Sequence, residues 1–193
     1  MKLDSKFWNR KYRSNQTGWD IGYASPPIIS YFDQLEDKNL KILIPGCGNA
    51  YEAIYLFRNG FKNIYILDFV KDTLDNFKIK FPDFPVSQIL YKDFFELEDQ
   101  FDIVVEQTFF CAIHPDERKQ YIAKMKSILK PNGKLVGLFF NIEFEKSGPP
   151  FGGTKNHYLG LFSQHFKINT LEKCYNSILP RKDNELFFIF EVN

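Results

Sequence analysis

The sequence predicts an α/β fold built on a seven-stranded, mostly parallel sheet that ends in an antiparallel hairpin. Three observations predict it. From about residue 40, short apolar runs alternate with segments of helical period. The runs are almost continuously apolar, as strands covered by helices on both faces are. The last two runs, Phe166–Leu171 and Glu185–Val192, have no helix between them and should pair antiparallel.

Lys41–Pro45 (KILIP) is the first strand and ends in Gly46-Cys47-Gly48. Ala50–Asn59 places Ala53, Ile54 and Phe57 at helical spacing, with Gly60 as its stop. Asn63–Leu67 is the second strand, closed by Asp68, and Val70–Lys80 is the helix after it. Val86–Leu90 and Phe101–Val105 are expected as the third and fourth strands. Pro115 opens the next helix, with Asp116 and Glu117 in a first turn whose dipole favours carboxylates. Tyr121, Ile122, Met125, Ile128 and Leu129 form its buried stripe. Lys130–Gly133 reads as a turn before the fifth strand, Lys134–Phe140, and a short helix near 155–164 follows a Pro/Gly loop at Gly148–Gly153. In such sheets ligands bind beyond the carboxyl ends of the strands. That face collects Gly46–Tyr51, Asp68, Asp93, Glu106–His114, the 141–153 loop and the 172–184 connection.

The chain has 193 residues, 44% apolar and 25% charged, an ordinary globular composition. It is read as a single domain over 1–193, with an N-terminal segment over 1–30 and the α/β core over 40–193. The unusual feature is its 22 Phe and 10 Tyr, which serve a core and can also enclose a ligand. A net charge of +1 provides no field for nucleic acid or anionic membrane, so neither is expected as a partner. Cys47, Cys111 and Cys174 are far apart and the three histidines scattered, so no metal site is expected and the thiols read as reduced. Met1–Tyr12 lacks the apolar stretch of a signal peptide, and no run approaches membrane-spanning length. The expectation is a soluble cytoplasmic protein, with a monomer favoured.

The chemistry-bearing residues point to a nucleoside. Two glycines flanking Cys47 let backbone approach a ligand and turn into a helix. Asp68 follows Gly48 by twenty residues, where a carboxylate can accept both ribose hydroxyls. A dinucleotide is disfavoured, because the third glycine of its fingerprint would fall at Tyr51. A methyl donor of the S-adenosylmethionine type fits better: Asp93 can accept from an adenine amino group and Glu106 can pair with an ammonium. A carboxylate after the buried run FDIVV needs such a partner. Trp8, Tyr12 and Trp19 can form an aromatic cover facing a sulfonium cation, although Trp8 and Tyr12, four apart, would pack on a core equally well. No histidine stands at a diagnostic spacing from a nucleophile, and His114 beside Pro115 reads as a helix-start residue; no catalytic residue is assigned.

Together these motifs resemble the thiopurine methyltransferase superfamily, and most of all its thiol/halide branch. The likeness runs from Trp8 to about Lys182. It is carried by Trp8-x3-Tyr12-x6-Trp19, Gly18-Trp19-Asp20-Ile21-Gly22, Ile44-Pro45-Gly46-Cys47-Gly48 and Lys92-Asp93-Phe94-Phe95. Phe109-Phe110-Cys111-Ala112-Ile113-x-Pro115, Gly148-Pro149-Pro150-Phe151 and Pro180-Arg181-Lys182 complete it. The resemblance implies a Rossmann-like class I SAM-dependent methyltransferase fold, with S-adenosylmethionine as cofactor and S-adenosylhomocysteine as product. By position it puts the cofactor on Trp8, Tyr12, Trp19, Gly46, Cys47, Gly48, Asp68, Asp93, Phe94, Glu106 and Gln107. The substrate residues would be Ile21, Phe110, Phe151 and Arg181, the last with the alternative of a basic tip on an exposed loop. The implied acceptor is a small soft nucleophile: a thiol, hydrosulfide, thiocyanate, halide or thiopurine. Tyr12 departs from a tryptophan frequent in that branch, and Asn49-Ala50 replaces a glycine-richer stretch.

Three rival functions remain in view. An amino-methylating nucleic-acid enzyme would carry its Pro-Pro-aromatic loop after the fourth strand, whereas here Pro149-Pro150-Phe151 follows the fifth. A non-catalytic sensor of the same cofactor and a small-molecule O- or N-methyltransferase share the motifs.

Overall fold

A computed structural model describes residues 2–192. Asp4 starts the first helix, α1 (Ser5–Arg13), by accepting the Phe7 amide at 2.9 Å, which satisfies one of the free N–H groups of a helix start. A helix absent from the sequence reading follows, α2 (Pro26–Asp33). Its signals were Ser25 before Pro26-Pro27, a favoured helix entry, and Ile28, Tyr31 and Phe32 on one buried face. The alternation then runs as expected: β1 (Lys41–Pro45), α3 (Tyr51–Arg58), β2 (Asn63–Asp68), α4 (Lys71–Lys80), β3 (Ile89–Tyr91), β4 (Phe101–Gln107) and α5 (Arg118–Ile128). It closes with β5 (Leu129–Phe140), α6 (Lys155–Phe162), β6 (Lys167–Lys173) and β7 (Glu185–Glu191).

The seven strands form one sheet in the order β3-β2-β1-β4-β5-β7-β6. β1 to β5 pair in parallel, and β7 inserts antiparallel between β5 and β6. β6 therefore points the same way as β1–β5, and its connection to β7 emerges on the ligand-binding edge. The core lies in two layers. One face of the sheet packs with α5 and α6 through Phe101, Tyr121, Phe139, Phe162 and Phe188. The other packs with α2, α3 and α4 through Phe32, Ile42, Ala53, Ile66 and Phe77. Much of the aromatic content is thus core: Phe139 stacks on Tyr158 at 4.5 Å between ring centres.

Two expectations are corrected. The third strand begins at Ile89 rather than Val86, because Val86–Gln88 closes a 3-10 turn on the Pro85 carbonyl and Gln88 reaches the Lys62 carbonyl. Lys130–Gly133 is a bulge inside β5 rather than a turn before it. Leu129 already pairs with Phe101, and Asn132, at φ 61°, and Gly133 bond the backbone of Val192.

Gly137 lies in β5 opposite Glu106 of β4, where a Cβ would collide with the Glu106 carbonyl. Gly137→Val should therefore cost about 1–3 kcal/mol. That corresponds to a fall of roughly 2–12 °C in the thermal midpoint for a chain of this size. Thermal unfolding followed by circular dichroism checks this, and an unchanged midpoint would mean that the two strands can part.

Candidate active site

The β1–α3 turn is tight because Gly46, Gly48 and Ala50 all adopt left-handed backbone, at φ 57°, 52° and 52°. A Cβ on Gly46 would strike the Phe109 ring, and one on Gly48 would lie 2.8 Å from the Tyr12 hydroxyl. The glycines thus let two aromatic side chains reach the backbone of the turn. Cys47 between them donates its amide to the Leu67 carbonyl, and burial raises its thiol pKa.

Asp68, at the end of β2, is 4% exposed. Its Oδ2 accepts the Gly48 amide at 3.0 Å and its Oδ1 the Val70 amide at 2.9 Å. Burial raises its pKa, against the pull of these amides. Each oxygen keeps a second lone pair, so the carboxylate can still take two hydroxyl donors, as a ribose offers. Beside it opens a cleft of about 320 Å³ between Asn9 and Arg13 of α1 and Phe69-Val70-Lys71, with Tyr91 at its edge. That is within the range of small-ligand sites. Phe69 was not singled out from the sequence; its place directly after the acidic strand end was the available signal.

The N-terminal aromatics come together. Trp19 meets Trp8 and Tyr12 edge-on, at 5.3 and 5.6 Å between ring centres. Asp20 secures this segment to the turn by accepting from Asn49 Nδ2 at 2.5 Å, and Glu52 of α3 accepts the Ser25 amide at 2.9 Å.

After β4 the structure separates two neighbours. Glu106 is fully buried and turned toward α5. Its Oε1 accepts the amides of Phe109 and Phe110, both at 2.8 Å, and its Oε2 the Tyr121 hydroxyl at 2.5 Å. Burial pushes its carboxyl up to about 7. The carboxylate thus finds its partners inside the protein, which corrects its assignment to an ammonium. Gln107 projects from the opposite face, and its buried Oε1 has no partner among the described residues. An unmatched acceptor at this strand end suits an ammonium donor.

Phe94 is likewise drawn into the core, 3% exposed among Phe95, Phe109 and Tyr121, which corrects its assignment to an adenine face. Asp93 is exposed and caps the 3-10 turn after it, its Oδ1 accepting the Phe95 amide at 2.9 Å, and its Oδ2 has no partner among the described residues. His114 caps the turn at Pro115–Glu117, as its position suggested.

A second, smaller cavity of about 10 Å³ lies beyond β4 and β5, lined by Glu106, Thr108, Phe110, Cys111, Phe140 and Glu185. It has room for about one water molecule. Thr108 makes the turn into it at φ 57°, a costly conformation for a β-branched residue. Phe110 is 1% exposed. Phe151 docks beside it through its amide on the Cys111 carbonyl at 2.7 Å, while Ile21 is half-buried in the N-terminal segment. Two guanidinium groups stand around this cavity. Arg181, far from an exposed tip, is 8% exposed; it donates to the Trp19 carbonyl at 2.7 Å and lies 3.4 Å from Glu185. Arg118 is 5% exposed, 4.6 Å over the Phe110 ring. Among the described residues its partners are neutral, His157 and the carbonyls of Phe151 and Gly152, and its Nε has none. Sequence reasoning missed Arg118, although it sits three and four residues before Tyr121 and Ile122 on the apolar stripe of α5.

The family model for thiopurine S-methyltransferase matches residues 3–191. The chain belongs to the thiopurine S-methyltransferase family. It is an S-adenosylmethionine-dependent methyltransferase. Among its relatives are a probable thiol methyltransferase 2 of Arabidopsis thaliana, 30% identical over 78% of this chain and 69% of that one. Thiocyanate methyltransferase 1 of Brassica oleracea is 27% identical over 92% of this chain and 81% of its own. The fold is shared with the 1,6-didemethyltoxoflavin N1-methyltransferase of Burkholderia thailandensis, solved with S-adenosylhomocysteine. The TM-score is 0.76 at 16% identity, covering 99% of this chain and 88% of that one. The family's cofactor fits the residues present: spare lone pairs on buried Asp68, an orphan acceptor on Gln107 and a cleft beside both the strand end and the aromatic segment.

Because Glu106 takes up protons on folding, its contribution to stability is full below its unfolded pKa of about 4.5 and is lost as pH rises through about 7. Glu106→Gln should make the decline of unfolding free energy between pH 5 and 8 shallower. Some slope should persist, because burial also raises Glu52, Asp68 and Glu185. Urea titrations across that range test this; an unaltered slope would show that Glu106 stays ionised in the folded protein.

Proposed function

We propose that this methyltransferase acts on a small, soft, anionic nucleophile such as a thiolate, hydrosulfide, thiocyanate or halide. The observation that carries the reading is the small cavity flanked by Arg118 and Arg181. Two buried guanidinium groups favour an anion, and the cavity beside them, which holds about one water molecule, must widen for any acceptor larger than hydrosulfide. Burial raises the Glu185 carboxyl against the pull of Arg181, which lies 3.4 Å away. The names of the Arabidopsis and Brassica relatives support the same class of acceptor.

When bound, the cofactor supplies an electrophilic methyl group on a sulfonium. Asp68 would hold the ribose, Gln107 the ammonium, and Phe69 the flank of the adenine, with Asp93 at its rim. Trp8, Tyr12 and Trp19 would close over the site and exclude water, which strengthens every electrostatic contact inside. Phe110 and Phe151 would shape the acceptor cavity, with Ile21 at its entrance. The chain's task is then to hold the acceptor in line with the methyl group, about 3–3.5 Å away. His114 caps a turn and the His157 ring is paired with Arg118, so neither is placed as a free base toward the acceptor. We further read residues 1–193 as one catalytic unit, acting as a cytoplasmic monomer on small molecules rather than nucleic acid. Among the described residues no helix is long and apolar enough to cross a membrane.

Removing the carboxylate in Asp68→Ala should weaken S-adenosylhomocysteine binding about tenfold or more, since a hydrogen bond to a charged group is worth about 1.5–3 kcal/mol. Calorimetry decides it, and wild-type affinity in the variant would take Asp68 out of the site.

The acceptor class is tested by pH–rate profiles. With a series of thiols, the rising limb should shift with each thiol's own pKa, and with iodide it should vanish. A limb fixed near pH 7 for every acceptor would overturn this base-free reading and make Glu106 the general base.

A further inference from the structure

Arg181 ends a 3-10 turn, Leu179–Arg181, in the connection from β6 to β7. Its neighbours Tyr175 and Leu179 are 89% and 84% exposed, yet Arg181 is turned inward. Its guanidinium makes three contacts at once. Nη2 donates to the Trp19 carbonyl, 162 residues away, at 2.7 Å. Nη1 lies 3.4 Å from Glu185 Oε1, on the first residue of β7 and in the wall of the small cavity. The guanidinium carbon stands 5.6 Å from the ring of Phe140, another wall residue. Trp19 in turn packs on Trp8 and Tyr12, and the Tyr12 hydroxyl stands over Gly48. One side chain therefore bonds both the backbone of the aromatic cover and the carboxylate of the acceptor cavity.

We propose that Arg181, in contact with both the aromatic cover and the acceptor, couples the two subsites, so that closing the cover over the cofactor and ordering the acceptor cavity are one event. The proposal rests on the methyltransferase reading above. A guanidinium has five donors in a rigid fork, and the Trp19 carbonyl and Glu185 occupy two of them. An anion entering the cavity binds the same fork, which fixes the plane that also holds the Trp19 carbonyl. The closed cover, conversely, holds the fork ready for the anion. Linkage makes the effect reciprocal: whatever factor the anion adds to cofactor affinity, the cofactor adds to anion affinity. The same bond ties the otherwise exposed 174–184 loop to the N-terminal segment. A second link, from Asn176 Nδ2 to Ser30 Oγ at 3.1 Å, anchors that loop to α2.

The test is calorimetric titration of S-adenosylhomocysteine into the full-length protein, with and without thiocyanate at constant ionic strength, read together with tryptophan fluorescence. In the wild type, thiocyanate should tighten nucleoside binding about fivefold, the low end of typical coupling. Arg181→Met should lose about tenfold in nucleoside affinity, abolish the thiocyanate effect and shrink the fluorescence change. Arg181→Lys, which keeps the charge but not the fork, should recover part of the affinity and little of the coupling. If Arg181→Met does not fold, Arg181→Lys decides alone, and wild-type coupling there overturns the proposal. Unchanged nucleoside affinity in Arg181→Met, with only the acceptor KM raised, would make Arg181 a simple acceptor contact and also overturn it. A wild-type protein that fails to bind the nucleoside would instead refute the cofactor reading. Binding of the nucleoside with no thiocyanate effect in the wild type refutes the coupling and leaves the cofactor reading standing.

Discussion

Glu106 is a carboxylate with no exposed surface, placed where β4 ends and the chain must turn. Leaving it without donors would cost several kcal/mol, so the following loop folds back to supply them. The amides of Phe109 and Phe110 and the hydroxyl of Tyr121 converge on it, which sets the path of 108–113 and clamps that loop to α5. Both halves of the candidate site hang from this arrangement. Phe109 is held with its ring against Gly46 and Phe94, shaping the glycine turn. Phe110 is held beneath Arg118, and the Cys111 carbonyl is left pointing at the Phe151 amide, which docks the 148–153 loop.

Around that anchor the charges are distributed unequally. On the side proposed for the cofactor, Asp68 keeps spare lone pairs, Gln107 Oε1 has no partner among the described residues and Asp93 is exposed, while the cleft beside Asp68 carries Lys6, Arg10, Arg13 and Lys71. Around the small cavity proposed for the acceptor, whose own wall carries Glu106 and Glu185, stand Arg118 and Arg181, whose partners are mostly neutral carbonyls and an imidazole. Hydroxyl and ammonium donors of the cofactor suit the acceptors on Asp68 and Gln107, and an anionic nucleophile suits the two arginines. Transfer of a methyl group from a sulfonium to an anion neutralises both charges, so a low-dielectric site hastens it, provided that the anion is brought in by compensating cations. The two arginines meet that condition without supplying a base.

The N-terminal segment belongs to this electrostatic plan as well as to the packing. It touches the core through Asp20 on Asn49, through the Ser25 amide on Glu52 and through the Trp19 carbonyl on Arg181. With the Arg13–Asp72 ion pair, residues 4–22 rest on polar attachments and aromatic edges, and α1 has no fully buried residue, whereas α2 and the helices of the core are held by broad apolar faces. A segment held this way can open at modest cost while the sheet beneath stays rigid.

The order of strands and helices, the glycine turn and the acidic end of β2 were legible in the sequence because their signals are local. Apolar periods of 2.0 and 3.6 mark elements, and a glycine pair after a buried strand marks a turn whatever lies around it. The same locality misplaced Val86 and Lys130–Gly133, where distant partners, the Lys62 carbonyl and the Val192 backbone, decided the conformation. The site residues divide along the same line. Trp8, Tyr12, Trp19, Gly46, Gly48 and Asp68 were named from spacing and do come together. That Glu106 turns inward while Gln107 keeps a free acceptor, that Phe94 is core, and that Arg118 and Arg181 are buried could not be read along the chain. A strand's alternation says that two neighbours face opposite ways, but not which face is enclosed. A charged side chain becomes buried only when segments far apart in sequence close around it and supply its partners. Trp19 and Arg181 meet across 162 residues, and that contact exists only in the folded protein.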